Sequence, residues 1–215
     1  MAVAFLPSAL RDQWVSCSNF MKTLKRFIIA GHSTQSPGAV SYLGTTEHSY
    51  TLELQNLIIA NIDKENFVAG QGSSILFDTD DKKNNNRQVI NFINSTAKAG
   101  DFGIDVHFNN NNPAATGTEV IIHPKTNNSN KQRAIYIVNE ISRELKIPVR
   151  RREPQRDWIY PSETFLGTIG ILEQTKIPMV LIEVCFLNNR DLPKYLAKKV
   201  EIANIIYKTL FVEIF

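Results

Sequence analysis

Arg26-Phe-Ile-Ile-Ala-Gly-His-Ser-Thr-Gln-Ser-Pro-Gly-Ala-Val40 opens as an apolar run and breaks at Gly-His into a loop of Ser, Pro and Gly. As a buried strand, it delivers the imidazole of His32 to its own C-terminal end. Two later runs are built alike. Phe102-Gly-Ile-Asp-Val-His107 ends in a histidine followed by asparagines, and Met179-Val-Leu-Ile-Glu-Val-Cys-Phe186 holds one carboxylate, Glu183, inside an otherwise apolar strand. Parallel strands of an open α/β sheet present their C-terminal ends on one edge, and ligand sites form in the crevice outside it. Groups far apart in sequence then meet at one point.

Between and after these strands the chain reads as helices. Tyr50, Leu52, Leu54, Leu57, Ile58 and Ile62 follow a helical recurrence. Thr45 or Thr46 suits the N-cap, which leaves Glu47 in the first turn, where the helix dipole alone favours a carboxylate. Ser73–Asp78 reads as a second strand and 80–86 as an exposed turn; Val89, Ile90, Phe92 and Ile93 start a helix that stops at Gly100. Asn109 to Gly117 is a low-complexity loop, and Thr118–His123 alternates like a half-buried strand. Ser129–Leu145 reads as a helix burying Ile135, Val138, Ile141 and Leu145, and 164–174 as a short helix before Pro178. Residues 192–214 close the chain as a long helix with Leu196, Val200, Ala203, Ile206 and Leu210 inward. Strands alternating with helices predict an α/β fold: a single domain, with a largely parallel twisted sheet and helices on both faces. Residues 1–25 read as an N-terminal extension and 26–215 as the domain itself.

A length of 215 residues suits one well-filled α/β domain. Hydrophobic content of 43% with 21% charged residues is ordinary for a globular chain and argues against disorder. No apolar stretch approaches the roughly 18 residues of a spanning helix, so no membrane insertion is expected. The net charge of +3 is a mild bias. Arg150, Arg151, Arg152 and Arg156 cluster, but Trp158 and Tyr160 are the only nearby aromatics, so the run reads as a solvated loop and no nucleic-acid partner is expected. Cys17 and Cys185 form no metal or disulfide pattern. Cys185 lies two residues after Glu183 and would share its strand face, although a small buried apolar role suits a free cysteine better.

By bare chemistry, His32, His107 and Glu183, with Glu47 as a further candidate, suit a catalytic zinc: N/O ligands plus an open position for water. A single histidine is more often a satisfied structural residue. The carboxylate of Glu183 in an apolar strand carries more weight, because a buried charge is costly without a metal, a cation or a catalytic use.

These motifs together resemble the zinc-dependent N-acetylmuramoyl-L-alanine amidases, which cleave peptidoglycan between the lactyl group of muramic acid and the first alanine of the stem peptide. Ile29 to Val40 is similar to the family's opening Gly-His motif with its downstream Pro-Gly-Ala, and Glu47 to the glutamate that opens its first helix. Asp105-Val-His-Phe-Asn109 resembles Ser-Ile-His-Ala-Asn, Thr118-Glu-Val120 the Gly-x-Glu-Val strand, and Lys176 to Asn189 the block carrying the catalytic glutamate. The resemblance implies one zinc per chain held by His32, Glu47 and His107, with Glu183 as general base and then acid, acting on peptidoglycan. Glu53 is the rival third ligand, but it falls nearly two turns down the helix. His48 and His123 are expected to be structural or substrate-side residues.

The departures are Ser33 and Cys185 where the family has glycines, and the Asn loop. Competing expectations are a zinc carboxypeptidase or deacylase on another amide, and a non-catalytic wall-binding module of the same fold. The protein is expected to be a monomer acting on the cell wall, periplasmic or extracellular. The first residues lack the basic start and long apolar core of a secretory signal. That suggests an endolysin-like phage product made in the host cytoplasm, or another export route.

Overall fold

The computed structural model describes residues 24–60, 73–76, 85–110 and 113–211. Its strands are β1 (Arg26–Ala30), β2 (Ser73–Leu76), β3 (Phe102–Asn109), β4 (Glu119–Ile122) and β5 (Met179–Phe186). Its α-helices are α1 (Glu47–Ala60), α2 (Asn85–Thr96), α3 (Asn128–Leu145), α4 (Gly170–Gln174) and α5 (Leu192–Phe211). The strands form one sheet in the order β2-β1-β3-β5-β4. All neighbours are parallel except β4, which runs antiparallel to β5 at the edge. The expected α/β domain is therefore present. The turn expected over 80–86, the residues beyond Leu76 of the second strand, Ile62 and Cys17 lie wholly or mainly outside the described residues.

Alternation along the strands divides the core in two. Ile28, Ile104, Val106, Val120, Val180 and Ile182 face α1, α3 and α5, while Phe27, Ile29, Ile121, Met179 and Leu181 face the smaller layer of α2 and α4. Each fully buried aliphatic of this kind contributes about 1.5–3 kcal/mol. β4 is buried on both faces rather than half-buried: Val120 and Ile122 join the core on the α3 side, and Ile121 joins the other core together with Ile159, whose backbone pairs with the outer edge of β4.

Several boundaries differ from expectation. In α3 it is Ile137 that is buried, while Ile135 is only partly covered. The helix is capped as its ends require: the Asn127 side chain accepts from the Asn130 N–H, and Lys146 adopts a left-handed C-cap. The helix expected over 164–174 shrinks to α4 behind a 3-10 turn at Pro161–Glu163, with Gly167 at φ +71 in the loop between. In α5, Lys198 leaves helical geometry and rotates the register, so Val200 is exposed by 50% while Tyr195 and Ile202 are buried.

Cys185 departs from simple alternation. Between β3 and β5 the register steps from His107↔Glu183 to Asn109↔Phe186, a bulge with one extra residue on β5. Cys185 is thereby turned into the helix-packed core with Val184, away from the face that Glu183 occupies. Parity counted from sequence fails at that residue.

Candidate active site

The C-terminal half of the sheet face on the α2/α4 side forms the floor of a cleft of about 1050 Å³. Two rows of side chains build that floor. In the lower row Ile29, Asp105, Leu181 and Ile121 are register partners across four strands, and in the upper row His107, Glu183 and Glu119 are partners across three. His32 follows β1 directly. Its φ of 69 is left-handed, a conformation that costs a non-glycine residue about 1 kcal/mol or more and that clusters at functional sites.

Glu47 is the first residue of α1, and several contacts hold that helix end against β1. The Ser49 N–H points to the Thr46 hydroxyl at 3.4 Å, the N-cap arrangement. The Gly31 carbonyl accepts from the Thr51 hydroxyl at 2.9 Å and lies 3.0 Å from His48 Nδ1, and Gln55 Nε2 donates to the Ile28 carbonyl at 2.7 Å. The Glu47 carboxylate then reaches both imidazoles: Oε2 lies 3.0 Å from His32 Nε2 and Oε1 3.2 Å from His107 Nδ1. The Phe108 and Ala39 N–H groups also donate to it, at 3.0 and 3.2 Å. One ligand atom from each of His32, Glu47 and His107 lies within 4.8 Å of the others.

The approach is close enough to require glycine at two positions. A Cβ on Gly31 would stand 2.4 Å from the His107 ring, and one on Gly38 would stand 2.6 Å from the His32 ring and 2.7 Å from Glu47 Oε2. The second site of contact also needs the left-handed φ of +73 at Gly38.

The charges are tightly coupled. Burial would raise the Glu47 carboxyl, but hydrogen bonds and charge from His107 and His32 outweigh it and hold Glu47 well below the usual carboxylate range. For His107, burial favours the neutral ring; the Asp105 carboxylate, with Nε2 to Oδ2 at 3.3 Å, and the hydrogen bond with Glu47 overcome it and raise the imidazole. Glu183 is pushed up to about 8, chiefly by burial, with Glu47, Glu119 and Asp105 adding to it against His107. Its Oε2 is enclosed and has no hydrogen-bond partner, as has Asp105 Oδ1.

The other candidates are placed elsewhere. Glu53 pairs with Lys199 on the far side of α1, His48 is buried, and His123 accepts from the Lys125 N–H at 3.1 Å at the end of β4, outside the cleft. Asp105 and Glu119 are cleft residues given no role from sequence. Asp105 was open to the argument used for Glu183, a carboxylate in an apolar strand two residues from His107 and so on its face. Glu119 was not, because its place beside Glu183 depends on an antiparallel register that leaves no local mark.

A mainly parallel sheet whose strand ends gather two imidazoles and a carboxylate beside an enclosed glutamate is the plan of metal-assisted hydrolases. The family model described as N-acetylmuramoyl-L-alanine amidase matches residues 27–210. The chain belongs to that family and is a peptidoglycan amidase. Among solved structures, it is similar to the N-acetylmuramoyl-L-alanine amidase of Clostridium difficile 630, with 21% identity, TM-score 0.66, and coverage of 87% of this chain and 95% of that one. The catalytic domain of an endolysin targeting Clostridia Difficile shares 22% identity over 87% and 96% of the two chains, with TM-score 0.66. An amidase of Nostoc punctiforme shares 18% identity over 87% and 94%, with TM-score 0.63. No curated protein matches the chain.

Proposed function

We propose that the protein cleaves the amide between N-acetylmuramic acid and the stem-peptide L-alanine, with one zinc ion held by His32, Glu47 and His107 and with Glu183 as general base and acid. The observation that carries the reading is the convergence of the three donors beside an enclosed carboxylate oxygen that has no partner. The donor chemistry fits zinc, which takes imidazole nitrogen and carboxylate oxygen and in hydrolases keeps a position open. Glu47 offers one oxygen to each imidazole nitrogen, so a cation among the three would replace the protons that otherwise hold these groups together.

Zinc bound there supplies a Lewis acid that lowers the pKa of water and polarises the amide carbonyl. The remaining steps fall to the chain. Asp105 holds His107 by Nε2 and leaves Nδ1 facing Glu47. Glu183 takes a proton from the attacking water and returns it to the leaving L-alanine nitrogen, which restores the carboxylate. Glu183 would be favoured in its charged form, against the upward pressure of burial, by a dication held at the three donors.

The catalytic unit in this reading is 26–215, preceded by an extension over 1–25, and it acts as a monomer on the wall from the periplasmic or extracellular side, as an endolysin would. No helix among the described residues is long and apolar enough to cross a membrane. The test is the product: digested peptidoglycan gains free N-terminal L-alanine if the reading is right, and new D-amino-acid ends with no free L-alanine if it is wrong.

A further inference from the structure

The basic run at 150–156 divides by side. Arg151 pairs with Asp157, and Arg156, 7% exposed, pairs with Glu153 and Glu163. Arg150 and Arg152 instead line the cleft that holds His32, Glu47, His107 and Glu183. The split follows from backbone pairing: Val149 bridges to Thr118 beside β4, and the Arg150 N–H donates to the Thr118 carbonyl at 2.8 Å, so alternate residues of this segment turn the same way.

Both guanidiniums lean on Glu119, but unequally. The buried Glu119 carboxylate is satisfied by Arg150 Nε and by Asn109 Nδ2 at 3.0 Å. Arg152 stands at 3.8 Å from its other oxygen, at the edge of ion-pair range, with its Nε on the Glu163 carbonyl at 3.3 Å and its side chain 38% exposed. Arg150 and Asn109 already serve Glu119, so the Arg152 guanidinium, also in the field of Glu163, stays lightly engaged on the cleft wall. Glu119 is the cross-strand partner of Glu183, which is in turn the partner of His107. The Arg152 guanidinium, against Glu119, therefore lies about two strand spacings, ~10 Å, from His107.

We propose that Arg152 forms an anion subsite for a carboxylate of the stem peptide, the free α-carboxylate of the residue that follows L-alanine. This rests on the amidase reading above. An extended peptide advances about 3.5 Å per residue, so a carboxylate at the second residue stands ~7 Å beyond the scissile amide, and the ~3 Å of a guanidinium–carboxylate contact completes the distance. A guanidinium suits it because its planar fork matches a carboxylate and keeps its charge at any working pH.

The experiment measures kcat/KM for release of N-terminal L-alanine from two peptidoglycans, one with a free α-carboxylate at the second stem residue and one with that group amidated. Wild type and Arg152→Gln are compared, with Arg151→Gln as the control. Wild type and the control prefer the free carboxylate by about tenfold, carried by KM, and Arg152→Gln abolishes the preference. Because the ratio is internal to each protein, partial unfolding lowers both rates and leaves it unchanged. A wild type without preference, or an Arg152→Gln protein that keeps it, overturns the subsite alone. Wild type releasing no L-alanine from either polymer overturns the amidase reading and the subsite with it.

Discussion

His107 and Glu183 are register partners on adjacent parallel strands, β3 and β5, so a ligand-type imidazole and an enclosed carboxylate stand side by side on one face of the sheet. Parallel pairing ties their separation to the strand spacing of about 4.8 Å, with no loop to adjust. The placement gives the two groups different surroundings: His107 faces Glu47, while Glu183 keeps one oxygen without a partner.

Glu183→Gln removes the proton acceptor and keeps the shape. Activity is expected to fall by a factor of about 10²–10⁴, with zinc content unchanged. Turnover on peptidoglycan with metal analysis of the same sample checks this; near-normal turnover removes Glu183 from the chemistry.

Asp105→Asn keeps the size of the side chain but removes the charge that orients His107. Metal affinity is expected to fall about 10–100-fold, read by competitive titration with a zinc chelator. Unchanged affinity would reduce Asp105 to a packing residue.

How far the site was legible in sequence follows from which positions are local. His32, Glu47 and His107 each sit beside a feature that sequence reports: a Gly-His break, a helix start, a strand end. Glu183 was marked by its apolar neighbours. Cys185 was misplaced by a bulge, the inward face of α5 by a kink at Lys198, and the tie from Glu119 to Arg150 lay hidden in a parallel bridge between Thr118 and Val149. The bulge and the bridge join segments far apart in the chain, which periodicity does not encode.

Gly38→Ala places a methyl group 2.6 Å from the His32 ring and 2.7 Å from Glu47, on a backbone at φ +73. Strain alone costs about 1 kcal/mol, and the ring and carboxylate must separate. Weakened zinc binding with a lower Tm is expected. Gly44→Ala, at φ +81 with nothing within 4 Å, is the comparison: it should cost stability and leave zinc bound.

The metal-free protein should lose stability as pH rises. The Glu183 carboxyl is raised from 4.5 to about 8 by folding, so between those values the folded state holds a proton that the unfolded state has released. Stability therefore falls through that window, by up to about 1.4 kcal/mol per pH unit from this group. His107, raised on folding, adds a loss of the same sign above its ordinary value near 6.5. The lowered Glu47 acts oppositely and only on the acid side, where its contribution disappears as pH drops below 4.5. Denaturant melts of chelator-treated protein from pH 5 to 8 should show the decline, and Glu183→Gln should remove it below about pH 6.5 and make it shallower above; a stability that rises across this range contradicts the assignment.

The most direct measurement is zinc stoichiometry by equilibrium dialysis on wild type, His32→Ala, Glu47→Gln and His107→Ala, each shown to be folded by circular dichroism. One tightly held zinc per wild-type chain, weakened or lost in each folded variant, is the expected result. A wild type that binds none, or variants that bind as tightly as wild type, would contradict the account.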